Sequence, residues 1–186
     1  PLLRTIPNNT HASLNQRISV NIPSLLSVNG LSLSNEKVKS VKIDGMVEVE
    51  STFAVGRHNV GTGKGTEPAP AVSLKRTITP DVNLPVLIER YEITNIRNSA
   101  VTVYIPEFSQ TFLTRPENGV KGSYRIASRI EAGSGTFVLE PGDSRVFYAV
   151  FQGAEKSLGV TSFSSIALEN AIQARRDFVS TVTDNL

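Results

Sequence analysis

The chain of 186 residues contains no cysteine and no tryptophan, one methionine and two histidines. Each shortage removes a class of chemistry. Without cysteine there is no disulfide scaffold, no thiol nucleophile and no thiolate metal site, which fits a cytosolic protein or a bacterial exported protein that does without disulfides. His11 and His58 lie far apart, and neither has a second histidine or a carboxylate at ligand spacing, so no zinc site is expected. No Gly-x-Ser-x-Gly elbow occurs, which leaves a hydrolase triad without its anchor. No apolar run approaches the roughly 18 residues of a membrane-spanning helix. Nor is there an excess of one charge: the formal net charge is +2. Lys37, Lys39 and Lys42 are spread along one expected strand and read as its solvated surface, so no nucleic-acid partner is expected.

Aromatics are also few. Sugar-binding surfaces favour exposed flat rings, and only four tyrosines are present. Tyr91, Tyr104 and Tyr148 fall inside strand patterns and are expected in or at the edge of the core. Tyr124 alone lies near a loop.

What the chain does have is short, regularly spaced strand patterns. The stretch Gly135–Phe151 holds two apolar runs, Phe137–Leu139 and Val146–Phe151, around a Pro141-Gly142-Asp143 turn, which predicts a β-hairpin. In the second run Phe147, Ala149 and Phe151 point one way and Val146, Tyr148 and Val150 the other. Both faces are apolar, so both must be covered, by a second sheet plus a helix or by a neighbouring domain.

Before it, Leu14–Ile22 alternates as a strand and Pro23 ends it. Asn29-Gly30 marks a two-residue turn. Val38–Ile43, Asp44-Gly45 and Met46–Val55 predict another hairpin, with Val47, Val49 and Ser51 on one face. Strands follow at Ala71–Ile78 and Val86–Thr94. A turn at residues 95–99 should fold the latter back on Val101–Ile105, and Tyr124–Ile130 adds a further strand. The last segment changes period: Leu168, Ala171, Ile172, Phe178, Val179 and Val182 recur at helical spacing, interrupted by Arg175, with Ser164 or Ser165 as cap. About ten strands and one helix predict an all-β fold, a two-sheet antiparallel β-sandwich with one C-terminal α-helix. Residues 1–163 form the sandwich. Residues 164–186 form the helix, a linker toward a following helical domain.

Residues 56–70 are the one long irregular segment. Gly56 and Gly61 have phosphate-loop spacing, but Thr62 stands where the lysine belongs, and Lys64 precedes Gly65 rather than a helix, so no nucleotide cofactor is expected. The loop is read either as a plain connection or as an element that reaches a ligand or partner domain with Arg57, His58 and Lys64. Carboxylates are scattered: Glu89 and Glu92 share a strand but face opposite ways, so they cannot serve as an acid/base pair. Catalysis within this segment is not expected, and no cofactor or metal is implied.

The series Ile88-Glu-Arg-Tyr-Glu-Ile-Thr-Asn95, Val101-Thr-Val-Tyr-Ile105, Leu139-Glu-Pro-Gly-Asp-Ser-Arg-Val-Phe-Tyr148 and a helix with Ala174-Arg-Arg-Asp-Phe-Val179 resembles the N-terminal β-supersandwich of glycoside hydrolases whose catalytic domain is an (α/α)6 toroid, the six-hairpin glycosidases. It covers about the second half of the chain. The resemblance implies a non-catalytic domain that packs on a helical catalytic domain of the same polypeptide, in an exported (periplasmic or extracellular) bacterial protein whose chain continues past Leu186. Two alternatives stay open: a stand-alone carbohydrate-binding module, and a structural or adhesion sandwich.

Overall fold

A computed structural model describes residues 19–55, 69–118 and 121–183. In chain order the elements are α1 (Ile22–Leu25), β1 (Ser27–Val28), β2 (Leu31–Ile43), β3 (Val47–Val55), β4 (Val72–Pro80), β5 (Val86–Asn95), β6 (Val101–Ile105) and β7 (Ser109–Leu113), then a 3-10 turn (Pro116–Asn118), β8 (Tyr124–Glu131), β9 (Gly135–Leu139), β10 (Ser144–Glu155) and α2 (Ser165–Thr183). Pro23 falls in the first turn of α1, where its fixed φ and missing N–H suit a helix start, so Ile22 is helical and not the end of a strand.

The ten strands join in one antiparallel sheet, β7-β8-β10-β5-β4-β3-β2-β1-β6-β9, curled into a half-barrel. This corrects the expected division into two sheets. The physical reason lies in β2. Its first residues, Leu31 and Ser32, pair with β1, and Leu33–Ile43 pair with β3, so the hydrogen bonding passes from one half to the other without a break. Register slips between Ser34 and Lys37 and between Val38 and Ser40, with Asn35 at φ 50°, mark the bulges that bend the strand.

Curling folds β1, β6 and β9 over the concave side of β3, β4, β5 and β10. The main core forms between them: Phe53, Leu74, Tyr91, Ile93 and Phe147 from one half meet Val28, Val101, Val103, Ile105 and Leu139 from the other. Tyr91 and Phe147 stack with centroids 4.9 Å apart. On the convex side Val86, Ile88, Tyr148 and Val150 pack under Leu168 and Ile172 of α2. The doubly apolar strand β10 is thus central, between β8 and β5, with one face against the folded-over strands and the other against α2. Full burial of each such side chain stabilises the fold by about 1.5–3 kcal/mol.

Two expected hairpins are absent. β9 pairs with β6 and β10 pairs with β5 and β8, although the turn between β9 and β10 forms as read, with the Asp143 N–H donating to the Glu140 carbonyl at 3.0 Å. Likewise β5 does not pair with β6, which lies between β1 and β9. Both connections cross from one half of the half-barrel to the other. Tyr104 is a further correction: β6 turns it outward, and it is 46% exposed. The Asn29-Gly30 and Asp44-Gly45 turns sit where expected, with Asn29, Gly30 and Gly45 at positive φ. No helix among the described residues is long and apolar enough to cross a membrane.

Candidate functional site

Arg57, His58 and Lys64 lie outside the described residues. Among the described residues three clusters of buried or half-buried polar side chains stand out, and the alternation of the strands decides which side chains join each.

The first place is the convex face beneath α2. Ser164 caps the helix, its hydroxyl accepting from the Ala167 N–H at 3.2 Å. One turn in, Glu169 faces the sheet. Arg90 of β5 donates its Nε–H to Glu169 Oε1 at 2.7 Å, and Tyr148 of β10 donates its hydroxyl to the same oxygen at 2.6 Å. Arg90 also reaches Glu92 at 2.9 Å. Burial acts to raise the Glu169 carboxyl, but the bonds from Tyr148 and Arg90 outweigh it and hold the group below the ordinary carboxylate range. Burial first, and then the bond to Glu169, push the Tyr148 hydroxyl up to about 12. Farther along, Arg175 donates to the Gly45 carbonyl at 3.4 Å, and Arg176 approaches Glu48 at 3.9 Å. Gly45 is required here: a Cβ at this position would lie 2.3 Å from Val179 Cγ2. These contacts fasten the helix to the sheet.

The second place is a cleft of about 650 Å³ beside β7 and the β8–β9 turn, lined by Glu107, Phe108, Ser109, Arg129, Ser134 and Ser162 among others. At its convex edge Arg129 donates through Nε and Nη2 to Glu131 Oε1, at 2.8 and 2.7 Å. Arg129 Nη2 also donates to the Thr161 carbonyl at 2.7 Å, and the Phe163 N–H donates to Glu131 Oε2 at 2.8 Å. The segment leading into α2 is thereby tied to β8. Gly133, at φ 129°, lets the turn pass over β10: a Cβ there would meet Phe147 Cβ at 2.7 Å.

The third place is on the concave face. Tyr91 donates its hydroxyl to Glu89, with Arg76 directly across on β4. Burial above all, then the Glu89 charge, holds the Tyr91 proton on, so it is no acid near neutral pH. Glu92, bonded to Arg90, lies on the opposite face from Glu89, as the alternation predicts. No group of three or more His, Cys, Asp or Glu among the described residues could hold a metal ion.

Sequence reasoning did not single out Arg90, Arg129, Glu131 or Glu169. A usable signal exists for Arg90: it stands among the strongly apolar residues of β5, on the face shared with Val86 and Ile88. No local signal marks Glu131, whose partners lie 32 residues away in the chain. The chain matches no protein-family model and no curated protein.

Proposed function

We propose that this chain is a non-catalytic β domain of a bacterial, exported carbohydrate-active enzyme, and that it packs on a helical catalytic domain of the same polypeptide. The curled ten-stranded sheet is taken as the counterpart of the β-supersandwich named above. The observation that carries the reading is where apolar side chains stay in solvent. Val38, Val41 and Ile43 of β2 are 56%, 58% and 77% exposed, and Phe178 and Val182 near the end of α2 are about half exposed. Contact between Gly45 and Val179 brings these two segments to one end of the molecule. An apolar end of this kind is what a second domain would cover.

The outward side of α2 carries Asn170, Gln173, Asp177 and Thr181 at helical spacing, so the proposed contact is at the helix end and the β2–β3 hairpin, not along the helix. The polar networks support the reading from the other side: they bond groups of the domain to one another and fix α2 on the sheet.

The test is the reading frame beyond Leu186 and the behaviour of what it encodes. Several hundred residues of paired helices are expected, soluble and active only when joined to this domain, while the 186-residue chain alone cleaves no glycoside. A frame that stops at Leu186, or glycoside hydrolysis by the isolated chain, overturns the reading.

A further inference from the structure

For most of its length β2 has a neighbour on one side only. Leu31 and Ser32 pair with β1, and Leu33–Ile43 run beside β3 alone among the described residues. From Val38 to Ile43 every residue is exposed. In an antiparallel ladder alternate residues turn their N–H and C=O groups away from the partner, so this stretch presents an open edge to another strand. The register slip at Lys39 shapes that edge. Val38 lies opposite Ser51, Val41 opposite Val49 and Ile43 opposite Val47. Under strict alternation Val38 would face away from Val41 and Ile43. The extra residue puts all three on one face, at 56%, 58% and 77% exposure. Ser40 and Lys42, opposite Glu50 and Glu48, lie on the other face.

Lysines on an edge ordinarily keep strands apart, so the register decides whether a second copy of the chain can pair here. Antiparallel registers about a two-fold axis keep like faces together when they are centred on one residue. Centred on Lys42, the two Lys42 side chains oppose each other, and like charges directly opposite are destabilising. Centred on Ser40, Val41 faces Lys39 and Val38 faces Lys42. Centred on Val41, no lysine faces a lysine. Val41 meets Val41 of the second copy, and the apolar row from Val49 to Val41 continues into the second copy as Val41 and Val49. On the other face Lys42 lies opposite Ser40 of the second copy, with its exposed Glu50 next beyond that small serine. Two strand spacings, about 9–10 Å, separate the backbones of this lysine and glutamate, a gap that two long side chains can close. Lys39 comes beside Asp44 of the second copy, which its own Lys42 holds only loosely, at 3.5 Å and about 69% exposed. Each lysine thus meets opposite charge, and the edge is complementary to itself.

We infer that β2 is a self-association edge: two copies of this chain pair antiparallel along Val38–Asp44, about a two-fold axis at Val41, and join two half-barrels through one continuous sheet. Few residues take part, so the dimer is weak and depends on concentration. The inference uses the backbone edge of β2 and does not rest on the contact proposed above for a following domain.

Sedimentation equilibrium of the 186-residue chain tests it. The mass should rise from monomer toward dimer between about 10 µM and about 1 mM. Val41→Lys sets a charge against its own image at an exposed position, so it should weaken association about tenfold or more while unfolding stays unchanged. The chain has no cysteine, so single-cysteine variants report the register. Val41→Cys places two thiols at directly opposite positions, with Cα atoms about 4.5–5.5 Å apart, and should cross-link under mild oxidant. Val38→Cys, whose two copies lie far apart along the paired strands, should not. A monomer mass at every concentration overturns the inference. So do equal cross-linking of both variants, growth beyond the dimer, or a dimer indifferent to Val41→Lys. A chain that stays monomeric yet binds a peptide with the sequence of residues 46–54 has an edge suited to an acidic strand of another protein, and that result overturns it too. None of these outcomes bears on the reading frame beyond Leu186.

Discussion

The side-chain amide of Asn95 donates to the backbone carbonyl of Leu139 at 2.9 Å, across 44 residues of chain. Asn95 is fully buried and satisfied: it also donates to the Ser99 carbonyl and accepts from the Arg97 N–H, both at 2.9 Å. Its backbone completes the lock, accepting from the Gly142 N–H at 2.9 Å and donating to the Asp143 carbonyl at 3.0 Å. One residue thus pins the two connections, β5–β6 and β9–β10, that cross between the halves of the half-barrel. The series Ile93-Thr94-Asn95 and Pro141-Gly142-Asp143 has a structural explanation in this lock.

Asn95→Ala should therefore be among the costlier single changes in the chain. Removal of the amide leaves the Leu139 carbonyl short of a partner at a buried site, whereas the Ser99 carbonyl, on an exposed residue, can turn to water; the loss is about 1–3 kcal/mol. Urea denaturation of the variant measures it, and a loss below about 0.5 kcal/mol, the level of an ordinary surface change, refutes the pinning role.

Glu169 links the attachment of α2 to pH. Its folded carboxyl titrates below the ordinary value of 4.5, so its contribution is present above that value and is lost as pH falls through the folded one. Stability should decline on acidification below about pH 4.5, and Glu169→Gln should flatten that part of the profile. Because Glu169 is 44% exposed, the substitution itself costs only about 1 kcal/mol at neutral pH. Tyr148 acts at the other end. Its hydroxyl is raised from 10.0 to about 12, so folding is weakened as pH climbs between those values. An acid limb identical in parent and Glu169→Gln, measured by thermal unfolding, contradicts the assignment.

Gly45→Ala combines two penalties: a residue with a Cβ at φ 65°, and contact with Val179 at 2.3 Å. A destabilisation of about 1–3 kcal/mol is expected. Val179→Ala on the same background should restore part of it, since only the steric half is relieved. If the double variant is no more stable than Gly45→Ala, the close approach of α2 to the β2–β3 turn is not what requires the glycine.

The Arg129–Glu131 pair is buried on both sides, at 11% and 8% side-chain exposure. Arg129→Met leaves a buried carboxylate without its cation and should cost about 3–5 kcal/mol. Arg129→Met/Glu131→Met removes the orphaned charge and should be more stable than the single variant, although the Phe163 N–H then loses its acceptor. Chemical denaturation of both variants checks the order of stabilities; a double variant weaker than the single would show that the pair is held by something other than its mutual charge.

Much of the fold is legible in the order of residues. The two apolar faces of Val146–Phe151 require a central strand covered twice, and β10 is covered by the folded-over half-sheet and by α2. Asn29-Gly30 and Asp44-Gly45 mark turns because few other residues accept positive φ. Leu168, Ala171 and Ile172 mark the sheet-facing side of α2. Less legible is β7, where Ser109-Gln-Thr-Phe-Leu113 shows no clean alternation and lies at a sheet edge. Phe178 and Val182 share the helical period with Leu168 yet remain about half exposed, because α2 meets less of the sheet at that end.

By itself, then, the sequence determined most of the strands, the tight turns, the C-terminal helix, and, within β5 and β10, which side chains share a face. These follow from backbone geometry within a few residues, where period 2 or 3.6 and the preferences of glycine, proline and asparagine operate. Only the tertiary structure decided which strand pairs with which, that bulges in β2 carry one sheet around where two were expected, and that Asn95, Glu131 and Glu169 each find partners far along the chain. Any two strands of alternating pattern can pair. The choice among them rests on which arrangement buries all the apolar faces at once while every buried polar group finds a partner, and that is a property of the whole chain.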